Sequence, residues 1–345
     1  MPPIRVLQLA GSPFEMGRQH GLAYAHDIKE LAEERVMLSS DKNWTGHQLS
    51  RAEVLALGEA CLPYHHAYAP ELMDELAGLG AATGVSQTEL IILNGFTDFI
   101  DTVYNYETVH PAVPANPGAD NCTAFVVSPA AAADGRGFFG QTWDMHATAT
   151  PFVILLHGQP AGGLRFLALS IIGCVGMIGM NEAGIAVGIN NLLGGDGQVG
   201  VTWPFVVRKI LAQTNLNDAL ACITEAQLAG AHNYMLADAS GRGYNVEAMS
   251  SRYEVQEVTA GSAVHTNHCL AGCNIEVERA RLPKSRLSSE TRLNRGEELL
   301  RRGNVTLDDL FALTRDHSAS NGICVHPEEP LFLESCSAAI MRPAT

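Results

Sequence analysis

Cys122 is the residue in this sequence best placed to act as a nucleophile. It opens an apolar, β-prone segment, 123–128, and so stands at the start of a predicted strand. The preceding segment 110–121 holds three prolines, one glycine and two asparagines, which predicts an exposed loop. Asp144 ends a second predicted strand. A loop that can be cut, a cysteine that opens a strand and a carboxylate on a facing strand predict an enzyme whose nucleophile becomes a new N-terminus.

The other seven cysteines are scattered along a chain that is too long to need disulfide bonds. We expect most of them to be reduced and buried, as small hydrophobic residues. The same structural role is the alternative for Cys122, a buried cysteine at the start of a strand. Its position directly after the loop favours the nucleophile instead.

The bulk composition excludes several classes of partner. The chain has 345 residues and a net charge of −15 at pH 7, which argues against nucleic acid and anionic membranes as partners. The N-terminus lacks a basic region followed by a long apolar one, so we predict no signal peptide and a cytoplasmic protein. There is no glycine-rich phosphate loop and no basic cluster suited to coenzyme A, so no cofactor is predicted.

The order of the predicted elements indicates an α+β fold. A short strand at 4–9, which we expect to be covered on both faces, precedes a mainly helical region. Ser86 with Glu89, and Thr306 with Asp309, form capping boxes that predict helix starts. Strand clusters and helix clusters alternate after Cys122. This order predicts a four-layer αββα sandwich, two mainly antiparallel sheets packed face to face between helices.

We expect these layers to form one domain built from two parts of the chain. Segment 1–121 is the mainly helical part and ends in the loop that would be cut. Segment 122–345 carries the nucleophile and the two-sheet core, and a short strand near 322–325 is predicted close to its end.

The motifs of this chain, taken together and in order, resemble the acyl-coenzyme A:6-aminopenicillanate acyltransferase family. These are self-cleaving N-terminal-nucleophile hydrolases with a cysteine nucleophile. The resemblance covers nearly the whole chain and is carried by segments 11–17, 122–125, 140–144, 179–187, 264–269 and 316–324. It implies the αββα fold and a precursor that cuts itself between Asn121 and Cys122. Cys122 matches the family's nucleophile and Asp144 its active-site aspartate; Asn267 matches the asparagine near the oxyanion, and Asn190 another polar group.

The expected chemistry follows from a free amine on Cys122. After cleavage its α-amino group would have a pKa near 7.7–8.0 and could take the thiol proton and return it to a leaving amine. We expect Asp144 to hold this amino group and Asn267 to donate to the oxyanion. Trp143 is predicted to be a pocket wall or a core residue, and Asn190 and Trp143 are weaker candidates for the oxyanion site or for positioning substrate. The implied substrate is a small molecule with an N-acyl, amide or thioester bond, and the two fragments of the precursor stay partners.

Three alternatives remain open at this point. The enzyme could instead transfer acyl groups from acyl-coenzyme A to an amine. The chain could also be an unprocessed, non-catalytic binding protein. His265, His268, Cys269 and Cys273 have spacings that suggest a zinc module, but on a strand they would point to both faces, so no metal is predicted there.

Overall fold

Two β-sheets lie face to face in the computed structural model, which describes residues 4–106, 122–318, 322–327 and 332–344. The larger sheet has the strand order β1-β4-β5-β6-β7-β8-β9-β10 and the smaller one β11-β2-β3-β12. The described strands are β1 Arg5–Gly11, β2 Thr123–Val127, β3 Phe138–His146, β4 Val153–Pro160, β5 Phe166–Ile171, β6 Ile178–Asn181, β7 Ala186–Asn191, β8 His232–Ala237, β9 Gly243–Ala248, β10 Tyr253–Val258, β11 Ser262–His265 and β12 Leu333–Met341.

Helices cover the outer face of each sheet. The described helices are α1 Pro13–Ala23, α2 Ala25–Ser40, α3 Lys42–Thr45, α4 Arg51–Tyr68, α5 Pro70–Thr83, α6 Gln87–Leu93, α7 Phe96–Tyr104, α8 Trp203–Ile210, α9 Leu216–Thr224, α10 Gly272–Ile275, α11 Pro283–Leu300 and α12 Leu307–Thr314, with a 3-10 helix at Ala147–Phe152. The capping boxes predicted before α6 and α12 are confirmed. Each box satisfies backbone N–H groups that the first turn of a helix leaves without partners.

Three clusters of buried hydrophobic residues hold the layers together. Residues of α1–α8 pack on the large sheet. Phe125 and Phe138 of the small sheet pack against Leu300 of α11 and Leu310 of α12. Between the sheets, Ala124, Val126 and Phe139 meet Ala186, Met235 and Ala237. The four-layer αββα arrangement predicted from the sequence is therefore confirmed.

The two sheets approach closely at Gln141 of β3. Its side-chain oxygen accepts a hydrogen bond from the Ile189 N–H of β7 at 2.9 Å, and its amide donates to the carbonyl of the same residue. Gly188 makes this contact possible, because a Cβ there would lie 2.3 Å from the Gln141 oxygen. The Gln141–Ile189 pair thus joins the strand beside Cys122 to the strand that carries Asn190.

Glycines also set the distance between two helices of the first hundred residues. A Cβ on Gly17 of α1 would lie 1.8 Å from the Glu75 carbonyl oxygen, and one on Gly78 of α5 would lie 2.0 Å from that of Phe14. Helices α1 and α5 can therefore pack backbone to backbone only with glycine at both positions. Gly17 is the last residue of the first motif noted in the sequence.

Two local predictions are wrong. The first strand, β1, is not covered on both faces: it lies at the edge of the large sheet, paired in parallel with β4, and Val6 is 57% exposed. Residues 322–325 form bends rather than a strand. Short apolar segments do not reveal from sequence whether a neighbouring layer covers them.

Among the described residues, no single helix is long and apolar enough to cross a membrane. Helices α5 and α6 reach that length and hydropathy only when they are taken together, across a bend of 109°.

Candidate active site

Cys122 immediately precedes β2, and its side chain is fully buried. Strand β2 is paired with β3, and the Thr123 N–H donates to the Thr142 hydroxyl at 3.1 Å. Asp144 also lies on β3, and its N–H donates to the Cys122 sulfur at 3.5 Å. The thiol and Asp144 are thus brought together by the β2–β3 pairing. Asn121, the other half of the predicted cleavage site, lies outside the described residues.

The sequence suggested that Asp144 ends its strand, but this prediction is wrong. Strand β3 continues to His146 because β12 pairs alongside it, with Ser335 opposite Asp144. The Ser335 hydroxyl donates to one carboxylate oxygen of Asp144 at 2.6 Å. The second oxygen is buried and has no hydrogen-bond partner in the described part of the chain.

The charge state of Asp144 is sensitive to its surroundings. Burial raises the pKa of Asp144 to about 7, while the positive charge of Arg292 and the hydrogen bond from Ser335 oppose the rise. Near neutral pH this carboxyl group is poised between its neutral and charged forms. A cation placed at its second oxygen would favour the charged form.

Arg292 of α11 connects Cys122 to Asn267. One guanidinium nitrogen donates to the Cys122 carbonyl oxygen at 2.6 Å and to the Thr123 hydroxyl at 3.0 Å. The other donates to the Asn267 side-chain oxygen at 2.9 Å. The planar guanidinium suits this double contact, which a lysine could not reproduce. The structure therefore brings Cys122 and Asn267 into one hydrogen-bonded cluster.

Asn267 is fully buried just beyond the end of β11. Its side-chain amide donates to the Asn191 carbonyl at 3.1 Å, and its backbone N–H donates to the Ser289 hydroxyl at 2.9 Å. With its oxygen held by Arg292, the side chain has a fixed orientation. Its amide nitrogen carries a second hydrogen that could serve a ligand.

Asn190 is buried near the end of β7, one residue before the carbonyl that Asn267 contacts. Its oxygen is 3.4 Å from the donating amide of Asn233, and its own amide finds no partner in the described ranges. Asn190 thus belongs to the polar end of the space between the sheets. Its predicted role in binding substrate stays a prediction.

Trp143 lines a small apolar cavity. The cavity has a volume of about 30 Å³. Its walls include Leu93, Phe96, Met145, Met177 and Trp203. Cys122 belongs to the same hydrophobic cluster as Trp143. The apolar cavity and the thiol therefore share one side of the small sheet.

The residues of the suggested zinc module do not converge. Both ring nitrogens of His265 are engaged, one by Glu247 at 2.9 Å and one by the Thr266 carbonyl. His268 contacts the Ser289 hydroxyl at 2.7 Å. Cys269 is buried beside Met249, whereas Cys273 is exposed. Each side chain has a different set of partners, so the sequence spacing does not produce a ligand set here.

Arg292 and Ser335 were not identified from the sequence. One signal for Arg292 was present: α11 buries a helical stripe of Ser288, Ser289, Arg292, Gly296 and Leu300. An arginine on the buried stripe of a helix needs buried partners. Ser335 carried no comparable signal, because the register of β12 against β3 is a tertiary feature.

Comparison with known proteins identifies a family and a fungal relative. The sequence model of the family described as acyl-coenzyme A:6-aminopenicillanic acid acyl-transferase matches residues 131–326, more than half of the chain. This range includes Asp144, Asn267 and Arg292 and begins after Cys122. The 40 kDa form of acyl-coenzyme A:6-aminopenicillanic-acid-acyltransferase from Emericella nidulans is 25% identical over 263 residues, which cover 75% of this chain and 68% of that protein.

Other similarities are more distant or cover less of the relative. An uncharacterized protein of Archaeoglobus fulgidus is 26% identical over 275 residues, 73% of this chain and 44% of the archaeal protein. The chain thus spans less than half the length of that relative. A mutant of conjugated bile acid hydrolase from Clostridium perfringens covers 65% of this chain and 86% of its own, with 12% identity and a TM-score of 0.44. Penicillin V acylase from Agrobacterium tumefaciens covers 64% of this chain and 80% of its own, with 13% identity and a TM-score of 0.40.

The family match includes the aspartate beside the Cys122 thiol and the arginine and asparagine that form one cluster with it. The chain belongs to the acyl-coenzyme A:6-aminopenicillanic acid acyl-transferase family.

Proposed function

We propose that this protein is a self-processing cysteine N-terminal-nucleophile enzyme that acts on a small N-acyl or amide substrate. The observation that carries the proposal is the environment of Asp144. Its backbone N–H contacts the Cys122 thiol, and one of its buried carboxylate oxygens has no partner among the described residues. Cleavage before Cys122 would create an amino group on the same residue, whose N–H is a suitable donor for that oxygen.

The first step is the cleavage of the chain itself. The Cys122 sulfur attacks the Asn121 carbonyl carbon, the peptide C–N bond breaks, and the acyl group moves from nitrogen to sulfur while the thiol proton passes to the released amine. Water then hydrolyses this thioester, leaving a carboxylate on Asn121 and a free thiol and amine on Cys122. Arg292, which holds the Cys122 carbonyl at 2.6 Å, fixes the orientation of the nucleophile.

Turnover uses the new amine as the base. It takes the thiol proton as sulfur attacks the substrate carbonyl, and it returns that proton to the leaving amine when the C–N bond breaks. The second hydrogen of the Asn267 amide is the proposed donor to the oxyanion of the intermediate. A donor of this kind is typically worth about 3–4 kcal/mol in the transition state. Water or an amine then takes the acyl group from the sulfur.

Acyl transfer from acyl-coenzyme A is the second candidate, because the fungal relative carries that name. We favour hydrolysis of an amide, since the sequence has no glycine-rich phosphate loop. The two reactions differ in the fate of the acyl-enzyme. Mixing the cut enzyme with an acyl donor and increasing amounts of amine distinguishes them, because a transferase yields mainly the new amide and a hydrolase mainly the free acid.

The decisive experiment is the intact mass of the purified protein under denaturing conditions. Cleavage after residue 121 of 345 should split the 36.9 kDa chain into fragments of about 13 and 24 kDa, the larger beginning with Cys122. The Cys122→Ala variant should stay whole and inactive, whereas Cys61→Ala, which removes another buried thiol, should still be cut. A wild-type chain that stays whole would favour a non-catalytic binding protein. Turnover by Cys122→Ala would remove Cys122 from its role.

A further inference from the structure

His317, Cys324 and His326 form a compact group of side chains that the proposed mechanism does not use. One ligand atom from each lies within 4.8 Å of the others. The Nε2 atoms of the two histidines are 2.8 Å apart, and their rings stack with centroids 4.9 Å apart and an angle of 19° between the planes. Two imidazole nitrogens and a sulfur thus lie close together.

The distances are close to those that a tetrahedral zinc ion requires. Zn–N bonds near 2.0–2.1 Å and Zn–S bonds near 2.3 Å place neighbouring ligand atoms roughly 3.3–3.8 Å apart. The histidine nitrogens need to separate by about half an ångström, and the sulfur needs to approach by about 1 Å at most. Both histidines are exposed and Cys324 is half-buried, so these small movements meet little resistance.

The backbone that carries the three ligands is held from both sides. The Cys324 N–H donates to the Asp316 carbonyl at 3.1 Å. The Val325 N–H donates to the Ser335 hydroxyl at 2.9 Å, and Val325 accepts from the Ser335 N–H at 3.0 Å. The Asp316 carboxylate is paired with Arg295 at 3.0 Å. The backbone beside the ligands is therefore anchored, while their side chains can still make the small movements that a metal ion requires.

We propose that His317, Cys324 and His326 bind a Zn²⁺ ion, with both histidines ligating through Nε2 and water in the fourth position. Imidazole and thiolate are ligands that suit zinc, and a site with three protein ligands keeps one position open. Binding requires the thiolate, so Cys324 releases its proton to solvent as the ion enters. This site is separate from the sequence segment 265–273. Two hydrogen bonds connect its backbone to Asp144, because the Ser335 hydroxyl accepts from the Val325 N–H and donates to that carboxylate.

Calorimetric titration of the tag-free, reduced, full-length protein with ZnCl₂ tests the proposal. We expect about one equivalent to bind tightly to the wild type and to Cys273→Ser, the control that removes an exposed cysteine elsewhere. Cys324→Ser and the double variant His317→Ala/His326→Ala should bind at least tenfold more weakly. With Co²⁺ as probe, the thiolate-to-cobalt absorption band should appear in the wild type and be absent in Cys324→Ser.

Three results would overturn the proposal: no uptake of Zn²⁺ by the wild type, equal affinity in all variants, or loss of binding in Cys273→Ser alone. Circular dichroism should be unchanged in the variants, because the histidines are exposed. If Cys324→Ser fails to fold, the double histidine variant decides the question.

Discussion

At the scale of single residues, Arg292 is the charged side chain of the site that depends most on its hydrogen-bond partners. It is fully buried, and its two terminal nitrogens reach Cys122, Thr123 and Asn267. A buried guanidinium is tolerated only when its hydrogens are donated to well-placed acceptors. We infer that Arg292 acts through the groups it holds and is a positioning residue.

Replacing Arg292 with lysine should therefore slow both self-cleavage and turnover. Lysine keeps the charge but cannot donate to the Cys122 carbonyl and the Asn267 oxygen in one plane. We expect at least a tenfold lower rate of cutting, followed by intact mass over time, and a fall in kcat greater than any rise in KM. Arg286→Lys is the control on the same helix, since Arg286 is half-buried and pairs with Glu278 and Glu290 instead. Equal rates in both variants would contradict the positioning role.

Asp144 makes the stability of the uncut chain depend on pH. Burial raises the pKa of Asp144 to about 7 in the folded chain, above its value in the unfolded chain. The resulting contribution to the free energy of unfolding is fully present below about pH 4 and is lost as the pH rises through about 7. The Cys122→Ala variant, for which we expect no cleavage, should therefore become less stable over this interval.

Urea unfolding at several pH values measures this loss. Adding Asp144→Asn to Cys122→Ala should flatten the curve between about pH 4 and pH 7, because the titrating group is gone. Adding Asp308→Asn, which removes an exposed carboxylate on α12, should leave the change in the free energy of unfolding with pH as it is in Cys122→Ala. Parallel curves for the two double variants would show that Asp144 does not titrate in this range.

At the scale of elements, the site depends on the distance between the two sheets. Strand β3 positions Asp144, strand β7 positions Asn190, and the Gln141–Ile189 hydrogen bonds join the two strands. No side chain larger than hydrogen fits at Gly188 without displacing Gln141. The inter-sheet contact is therefore as important to the site as the residues in it.

Gly188→Ala should weaken this contact. A Cβ placed 2.3 Å from the Gln141 oxygen forces the sheets or the side chain to move, and such overpacking typically costs about 1–3 kcal/mol. We expect a lower free energy of unfolding in urea, with slower turnover. Gly272→Ala is the control, since a Cβ there meets no atom within 4 Å. Identical midpoints for the two variants would mean that the sheets absorb the methyl group.

At the scale of the whole molecule, the part of the chain before Cys122 is built into the rest. It supplies the edge strand β1 of the large sheet and seven described helices whose apolar residues share one core with that sheet. Buried polar contacts add to this. Asp101 accepts from the Gly194 and Ala231 N–H groups at 3.0 Å and from Arg279 at 3.1 Å.

The two fragments should therefore stay together after cleavage. Native mass spectrometry or gel filtration of the cut protein should give one species near the 36.9 kDa of the uncut chain. Denaturing conditions should separate it, because only non-covalent contacts would remain. The uncut Cys122→Ala protein should elute at the same volume. A free fragment of about 13 kDa under native conditions would contradict this expectation.

Structural features that depend on short segments of the chain could be predicted from the sequence. A cysteine at the start of an apolar strand, after a loop of three prolines, pointed to Cys122. The capping boxes at Ser86 and Thr306 and the alternation of helix and strand clusters gave helix starts and the four-layer fold. These patterns are local because hydrogen bonds and side-chain periodicity within one element produce them.

Only the tertiary structure decided which distant residues meet at the site. Arg292 contacts the Cys122 carbonyl across 170 residues, and Ser335 contacts Asp144 across 191. The continuation of β3 beyond Asp144 depends on pairing with β12 at the other end of the chain. The sequence by itself determined the layers and the family resemblance, and it pointed to Cys122 as the candidate nucleophile. The partners of Cys122 depend on strand register and helix packing, which arise from the combined burial of many residues and leave no local pattern.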